Sequence, residues 1–219
     1  MFIFNIIKYL IFFIFVKPFI YLVLGVNVSG VDKLPKIDKG PSIIVANHNS
    51  HIDTLLLMSL FTCSQILKIH PVAAADYFCN TKFKTFVFTK LLGIIPIQRK
   101  VRKASEEEIF KDINNSLRNG ETIIIYPEGT RGETNELAKF KSGVAHIARM
   151  NPEIPVIPMF INGPDRILPK TDFLWVPFIS DVYVADAMYY DNTSTKEFTE
   201  KIRTVVEELK NEHKKKEEL

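Results

Sequence analysis

A histidine and an aspartate five positions apart are the first residues here whose types and spacing could do chemistry. Residues 47–53 read Asn47-His48-Asn49-Ser50-His51-Ile52-Asp53, between the apolar runs SIIVA (42–46) and TLLLMSLF (54–61). A carboxylate that accepts a hydrogen bond from one imidazole nitrogen fixes the tautomer and leaves the other nitrogen to take a proton from a hydroxyl. The same carboxylate stabilises the imidazolium that then forms. His48 and Asp53 meet if a helix begins near Ser50, so that the histidine folds back from the loop onto the first turn. Two other readings remain open on the residues alone. Ser50-x-x-Asp53 ahead of an apolar run is a capping-box pattern. His48, His51 and Asp53, with Glu128, form an acceptable donor set for a metal-dependent hydrolase, although the spacing matches no metal motif.

A second block, Tyr126-Pro127-Glu128-Gly129-Thr130-Arg131, follows the β-branched run TIIIY (122–126). Ligands of open α/β sheets bind beyond the carboxyl ends of strands, where this block falls. Glu128 can accept hydrogen bonds from substrate hydroxyls, Gly129 lets backbone approach a ligand, Thr130 offers a hydroxyl, and Arg131 offers a planar fork for phosphate. The bland alternative is a Pro-Glu-Gly turn beside a solvated arginine. A third block, GIIPIQR (93–99), ends in Arg99, which can aim at an anion from a strand end; Lys100, Arg102 and Lys103 follow it. Cys63 and Cys79 have no local base beside them and read as small buried hydrophobes. No nucleophile elbow, Walker loop or dinucleotide fingerprint is present. An enzyme built from these residues transfers a group directly, with a histidine base and no acyl-enzyme.

The elements that must position these blocks alternate. Strands are expected at 41–48, 69–76, 94–99, 122–126, 156–161 and 181–186, and helices at 54–61, 80–92 and 140–150. Phe83, Phe86 and Leu91 should face inwards from the second of these helices. Ser105 with Glu108 caps a helix that Gly120 stops, and Ser194 with Glu197 caps a terminal helix carrying Phe198, Ile202, Val205, Val206 and Leu209 on one stripe. The charged tail KNEHKKKEEL should fray into solvent. This rhythm implies an α/β fold: a mixed, largely parallel sheet flanked by helices.

Ahead of the sheet, residues 2–26 carry only Asn5, Lys8 and Lys17 as strongly polar positions, and they hold many of the chain's 17 phenylalanines. One helix of that length reaches roughly 38 Å, enough to cross a hydrocarbon core of about 30 Å. Lys17-Pro18 in the middle argues against a simple span. Lys8 and Lys17 fall on opposite sides of a helix, so a kinked pair, 2–16 and 18–26, dipping into one leaflet suits both. The expected organisation is an N-terminal hydrophobic helical membrane anchor at 1–30 and a catalytic domain at 31–219. A formal net charge of +3 on 219 residues excludes a nucleic-acid binder. Two cysteines exclude a disulfide framework and favour a face turned to a reducing, cytoplasmic compartment.

Taken in order, the blocks resemble the glycerolipid acyltransferase family that includes the lysophosphatidic acid acyltransferases. The family's His-x4-Asp appears as NHNSHID, its Gly-x-Ile-x-Ile-x-Arg-like block as GIIPIQR, and its Phe-Pro-Glu-Gly-Thr-Arg as YPEGTR. FKSG (140–143) and IPVIP (154–158) complete the set, and the likeness covers roughly residues 40–165. It implies that His48 takes the proton of an acceptor hydroxyl which attacks an acyl thioester, with Asp53 orienting the ring. It also implies that Arg99, Glu128, Gly129, Thr130 and Arg131 bind the acceptor's glycerol phosphate. The implied partners are a lipid bilayer, a lysophospholipid acceptor, and acyl-CoA or acyl carrier protein as donor; since thioester acyl transfer is favourable, no metal and no bound cofactor are expected. The segment Ala73-Ala74-Ala75-Asp76-Tyr77-Phe78 lacks the lysine common there, so another lyso-lipid, such as a lyso-aminolipid, is the alternative acceptor.

Overall fold

The computed structural model describes residues 2–50, 52–75, 81, 85–98, 105–130, 137–163 and 179–218. Short runs rich in isoleucine and valine form its strands, as their stiff, branched side chains favour. These are β1 (Val26–Ser29), β2 (Ile43–Ala46), β3 (Ile69–Ala74), β4 (Ile95–Ile97), β5 (Thr122–Ile125), β6 (Val156–Asn162) and β7 (Ser180–Val184). They make one sheet in the order β1-β7-β6-β2-β5-β3-β4. Every neighbouring pair is parallel except β6 and β7.

Side chains alternate across this sheet with period two. Ile44, Ala46, Ile124, Ile157, Met159 and Ile161 enter one core, and Ile43, Val45, Ile123, Ile125, Val156 and Phe160 enter the other. The first core is covered by α1 (Phe2–Ile11) and its continuation, by α2 (Ile52–Ser59) and by α3 (Cys63–Ile66). The second is covered by α5 (Lys111–Arg118), α6 (Gly143–Met150) and α7 (Thr195–Glu217), with α4 (Glu106–Ile109) leading into α5. Both faces are therefore buried, which is why β2, β5 and β6 are buried along their whole length.

Several expectations need correction. The N-terminal run does not split at Pro18. It stays helical from Phe2 to Leu24, with π-helical stretches at Phe12–Val16 and Phe19–Leu24 on either side of the proline. Wider turns of this kind absorb the donor that proline lacks. Gly25, at φ +69°, ends the helix, and residues 26–29, read as the end of the apolar run and its sequel, are instead strand β1. The expected 80–92 helix is observed as a helical turn at residues 85–86 and a π-helical stretch at Val87–Leu91; Phe83 lies outside the described residues. Phe86 does not face a core: it is half exposed and meets Phe4 edge-on, ring centroids 5.4 Å apart. The single helix expected after Ser105 breaks at Phe110 into α4 and α5.

Both capping boxes are present, on Ser105–Glu108 and Ser194–Glu197. The tail does not fray; α7 runs to Glu217 because its last turns still have a face to bury. His213 is buried against Tyr183 and Phe160, and Lys216 Nζ lies 4.8 Å above the Tyr183 ring.

Candidate active site

β2 and β5 are adjacent and parallel, so the loops that leave their carboxyl ends are neighbours. The first carries Asn47 to Ser50 into α2, and the second carries Tyr126 to Thr130. The site is assembled where the two meet.

Asp53 lies in the first turn of α2 and is buried, with 1% of its side chain exposed. Its Oδ2 accepts three hydrogen bonds: from the amides of Asn49 (2.7 Å) and Ser50 (2.8 Å), and from His48 Nδ1 (3.0 Å). The capping reading and the catalytic reading are thus the same arrangement. The carboxylate satisfies amides that the helix start leaves open, and the loop it folds in this way brings the imidazole back to it. Ser50 Oγ accepts a further bond from the amide of Ile52 (3.3 Å). With Nδ1–H donating to a carboxylate, Nε2 carries the lone pair and can accept a proton.

Asn47, a plain loop residue on sequence grounds, is buried and fastens this loop to the sheet. Its Nδ2 donates to the Ile161 carbonyl (2.9 Å) and its Oδ1 accepts from the Ile161 amide (2.7 Å). The side-chain amide stands in for one more residue of β2 where β6 runs on past it.

Glu128 enters from the second loop. It is buried, and its Oε1 accepts the His48 amide at 3.3 Å. Burial pushes its carboxyl up to about 7, offset in part by the His48 amide and imidazole and by the Ala138 amide. Its Oε2 and Asn49 Oδ1 have no hydrogen-bond partner among the described residues. Asp53 Oδ1 is a third such atom at the site; buried acceptors without donors are costly in a finished structure, and a ligand's hydroxyl would satisfy one.

Gly129 sits at φ +71°. The space a side chain would need there is taken by Lys141, whose Nζ would lie 2.5 Å from an added Cβ. The Lys141 amide also bonds the Pro127 carbonyl at 2.9 Å, so the FKSG segment runs beside the turn. Lys141, named on sequence grounds only as part of FKSG and given no role there, therefore brings a cation to the site. Tyr126 was legible only as part of a block. Its ring stacks on the His48 imidazole, with centroids 4.2 Å apart and planes 19° from parallel. Its hydroxyl is 3.0 Å from Thr54 Oγ1.

The structure therefore brings together His48, Asp53, Glu128 and Gly129, with Thr130 exposed at the end of the turn. Arg99, Arg131 and His51 lie outside the described residues. Among the described residues, no group of three His, Cys, Asp or Glu is placed to hold a metal ion.

Known proteins share both the sequence and the fold. The chain is 26% identical over 158 residues to a chloroplastic 1-acyl-sn-glycerol-3-phosphate acyltransferase of Arabidopsis thaliana, covering 68% of this chain and 39% of that one. It is 28% identical over 151 residues to a 1-acyl-sn-glycerol-3-phosphate acyltransferase of Saccharomyces cerevisiae, covering 67% of this chain and 46% of that one. The chain thus spans less than half the length of these two relatives. The crystal structure of the acyltransferase PlsC from Thermotoga maritima has the same fold. Its TM-score is 0.73 at 24% identity, over 97% of this chain and 80% of that one. The sequence model of the family described as Acyltransferase matches residues 25–162. That match runs from the start of β1 to the end of β6 and so contains both loops of the site: the chain belongs to the acyltransferase family.

Proposed function

We propose that this protein transfers a fatty acyl group from acyl-CoA or acyl carrier protein to the free hydroxyl of 1-acyl-glycerol-3-phosphate, forming phosphatidic acid at a membrane surface. The observation that carries this reading is the His48 Nδ1–Asp53 Oδ2 pair at 3.0 Å, which leaves Nε2 as the proton acceptor. The acceptor oxygen attacks the thioester carbonyl as Nε2 takes its proton. A C–O bond forms, the tetrahedral intermediate collapses, the C–S bond breaks, and the imidazolium returns the proton to the leaving thiolate. Asp53, held by two amides, stabilises the imidazolium in between. No acyl-enzyme is needed, since the thioester is already activated.

Glu128, Gly129 and Thr130 line the acceptor's place, and Arg99 and Arg131 are assigned to its phosphate. Glu128 Oε2, unpartnered beside His48, hydrogen-bonds the bound acceptor. The names of the relatives in plants and yeast support a lysophosphatidate acceptor.

Membrane attachment is assigned to the N-terminal helix. Residues Ile3–Leu22 are long and apolar enough to cross a membrane by length and composition. One face is docked: Phe12, Ile20 and Leu24 are buried, and Lys8 Nζ donates to the Ile69 carbonyl at 3.1 Å. The other face exposes Ile3, Leu10, Phe13, Ile14, Phe15 and Leu22. A helix docked along one side presents that stripe sideways to a leaflet, as an interfacial helix does.

The test is the full chain in phospholipid vesicles with oleoyl-CoA or oleoyl-acyl carrier protein and a panel of acceptors: lysophosphatidate, a lyso-aminolipid and a neutral lyso-lipid. Phosphatidate formed faster than any other product is the expected result. Faster acylation of the lyso-aminolipid overturns the acceptor assignment. Activity that is lost on chelation overturns the metal-free mechanism.

A further inference from the structure

We infer that Tyr126 and Thr54 form a clamp that holds the plane of the His48 imidazole, so that Tyr126 is a positioning residue for the proton transfer. This rests on the acyl-transfer reading above and extends it to residues outside the His-Asp pair.

A hydrogen bond from Nδ1 to Asp53 leaves one freedom unrestrained. The ring can tilt about the N–O line and swing Nε2 away from an attacking hydroxyl while keeping the bond. The face of the ring must be held by something else. Tyr126 lies against that face, with centroids 4.2 Å apart and a 19° tilt, a stacked arrangement. A free aromatic ring would itself rotate, but the Tyr126 hydroxyl is tied to Thr54 Oγ1 at 3.0 Å. Thr54 follows Asp53 directly on α2, so the tie returns to the element that holds the carboxylate. The four side chains close a circuit: His48 to Asp53 by a hydrogen bond, Asp53 to Thr54 along the helix, Thr54 to Tyr126 by a hydrogen bond, and Tyr126 to His48 by stacking. Asp53 sets the edge of the imidazole and Tyr126 sets its plane.

The chemistry of Tyr126 suits this duty. Burial first, and the Asp53 charge second, push its phenol upward in pKa, so it is a neutral hydroxyl and not a competing acid. A neutral π face beside an imidazole also accommodates the positive charge that appears on proton transfer. Among the described residues, the charged groups facing His48 are Asp53 from α2 and Glu128 from the loop after β5.

The test combines kinetics with an NMR signature on the full chain in vesicles or detergent. The variants are Tyr126→Phe, Tyr126→Leu, Thr54→Val and the Tyr126→Phe/Thr54→Val double. Tyr126→Leu should lower kcat by about 30- to 100-fold with KM for both substrates within about twofold, as a misplaced base does. Tyr126→Phe keeps the ring and should lose less, about three- to tenfold. Thr54→Val should match it, and the double should be no worse than either single, because both remove one shared bond. The His48 Cε1–H resonance, assigned with His48→Gln, should lie upfield in the wild type from the ring current. It should stay there in Tyr126→Phe and move downfield in Tyr126→Leu. A wild-type kcat in Tyr126→Leu, a loss carried by KM, or an unmoved His48 resonance overturns the clamp. The NMR arm needs no turnover, so a chain inactive towards every acyl donor defeats the acyl-transfer reading while the clamp is still judged by the resonance.

Discussion

A single oxygen of Asp53 serves two backbone amides and one imidazole, so its removal is both a structural and a chemical change. Asp53→Asn separates the two effects. The amide oxygen can still accept from Asn49 and Ser50, but a neutral side chain no longer stabilises an imidazolium. The expected kcat is lower by about 10³- to 10⁴-fold with melting temperature lowered by only a few degrees. A Glu128→Gln variant tests the buried carboxyl. Its folded pKa, about 7, is raised above its ordinary value of 4.5, so between these pH values the native state holds more protons than the unfolded one. Stability therefore falls as pH rises through that window. Urea unfolding at pH 5 and pH 8 should find the wild type losing more stability than Glu128→Gln, by on the order of 1–2 kcal/mol. Equal losses would mean that the carboxyl is not held out of water. Asn47→Ala leaves the Ile161 amide and carbonyl without partners, and should cost about 2–4 kcal/mol in the same assay.

At the scale of elements, the N-terminal helix has two faces with different duties, and substitutions on each should read out differently. Phe12 is fully buried in the core on one side of the sheet, whereas Phe13 and Phe15 are mostly exposed. Phe12→Ala should destabilise the fold by about 3–5 kcal/mol. Phe13→Glu with Phe15→Glu should leave melting unchanged and reduce sedimentation with phospholipid vesicles by about tenfold or more, since each adds a charge where a leaflet would lie. Vesicle binding equal to wild type would remove this helix as the anchor. The helix shows what periodicity can and cannot supply. Its apolar length was evident in residues 2–26, but β1, which starts at the last residue of that run, was not, because VNVS (26–29) becomes a strand only by pairing with β7. The terminal helix gives the converse case. A run of lysines and glutamates looked solvated, yet His213 and Lys216 meet Tyr183 on a strand 30 or more residues away. Strands such as TIIIY and SIIVA were legible because β-branched runs bounded by turns have few other uses.

Over the whole molecule, the site is the product of one topological fact: β6, β2 and β5 are neighbours, and their carboxyl ends open on the same side. His48, Asp53 and Glu128 were legible because each sits in a compact local pattern. Tyr126 with Thr54, and Asn47 with Ile161, were not. Their contacts join positions 72 and 114 residues apart, and no local spacing encodes which strands lie side by side. Those longer contacts are what hold His48 and Asp53 in register, so the geometry of the pair depends on the sheet as a whole. The central claim remains that His48 carries the proton. It is tested most directly by thiol release from oleoyl-CoA with lysophosphatidate, comparing the full chain with His48→Ala in vesicles of one composition. The expected result is a kcat lower by on the order of 10⁴-fold, with KM for lysophosphatidate within about threefold. A His48→Ala variant that turns over at a rate near the wild type would contradict it.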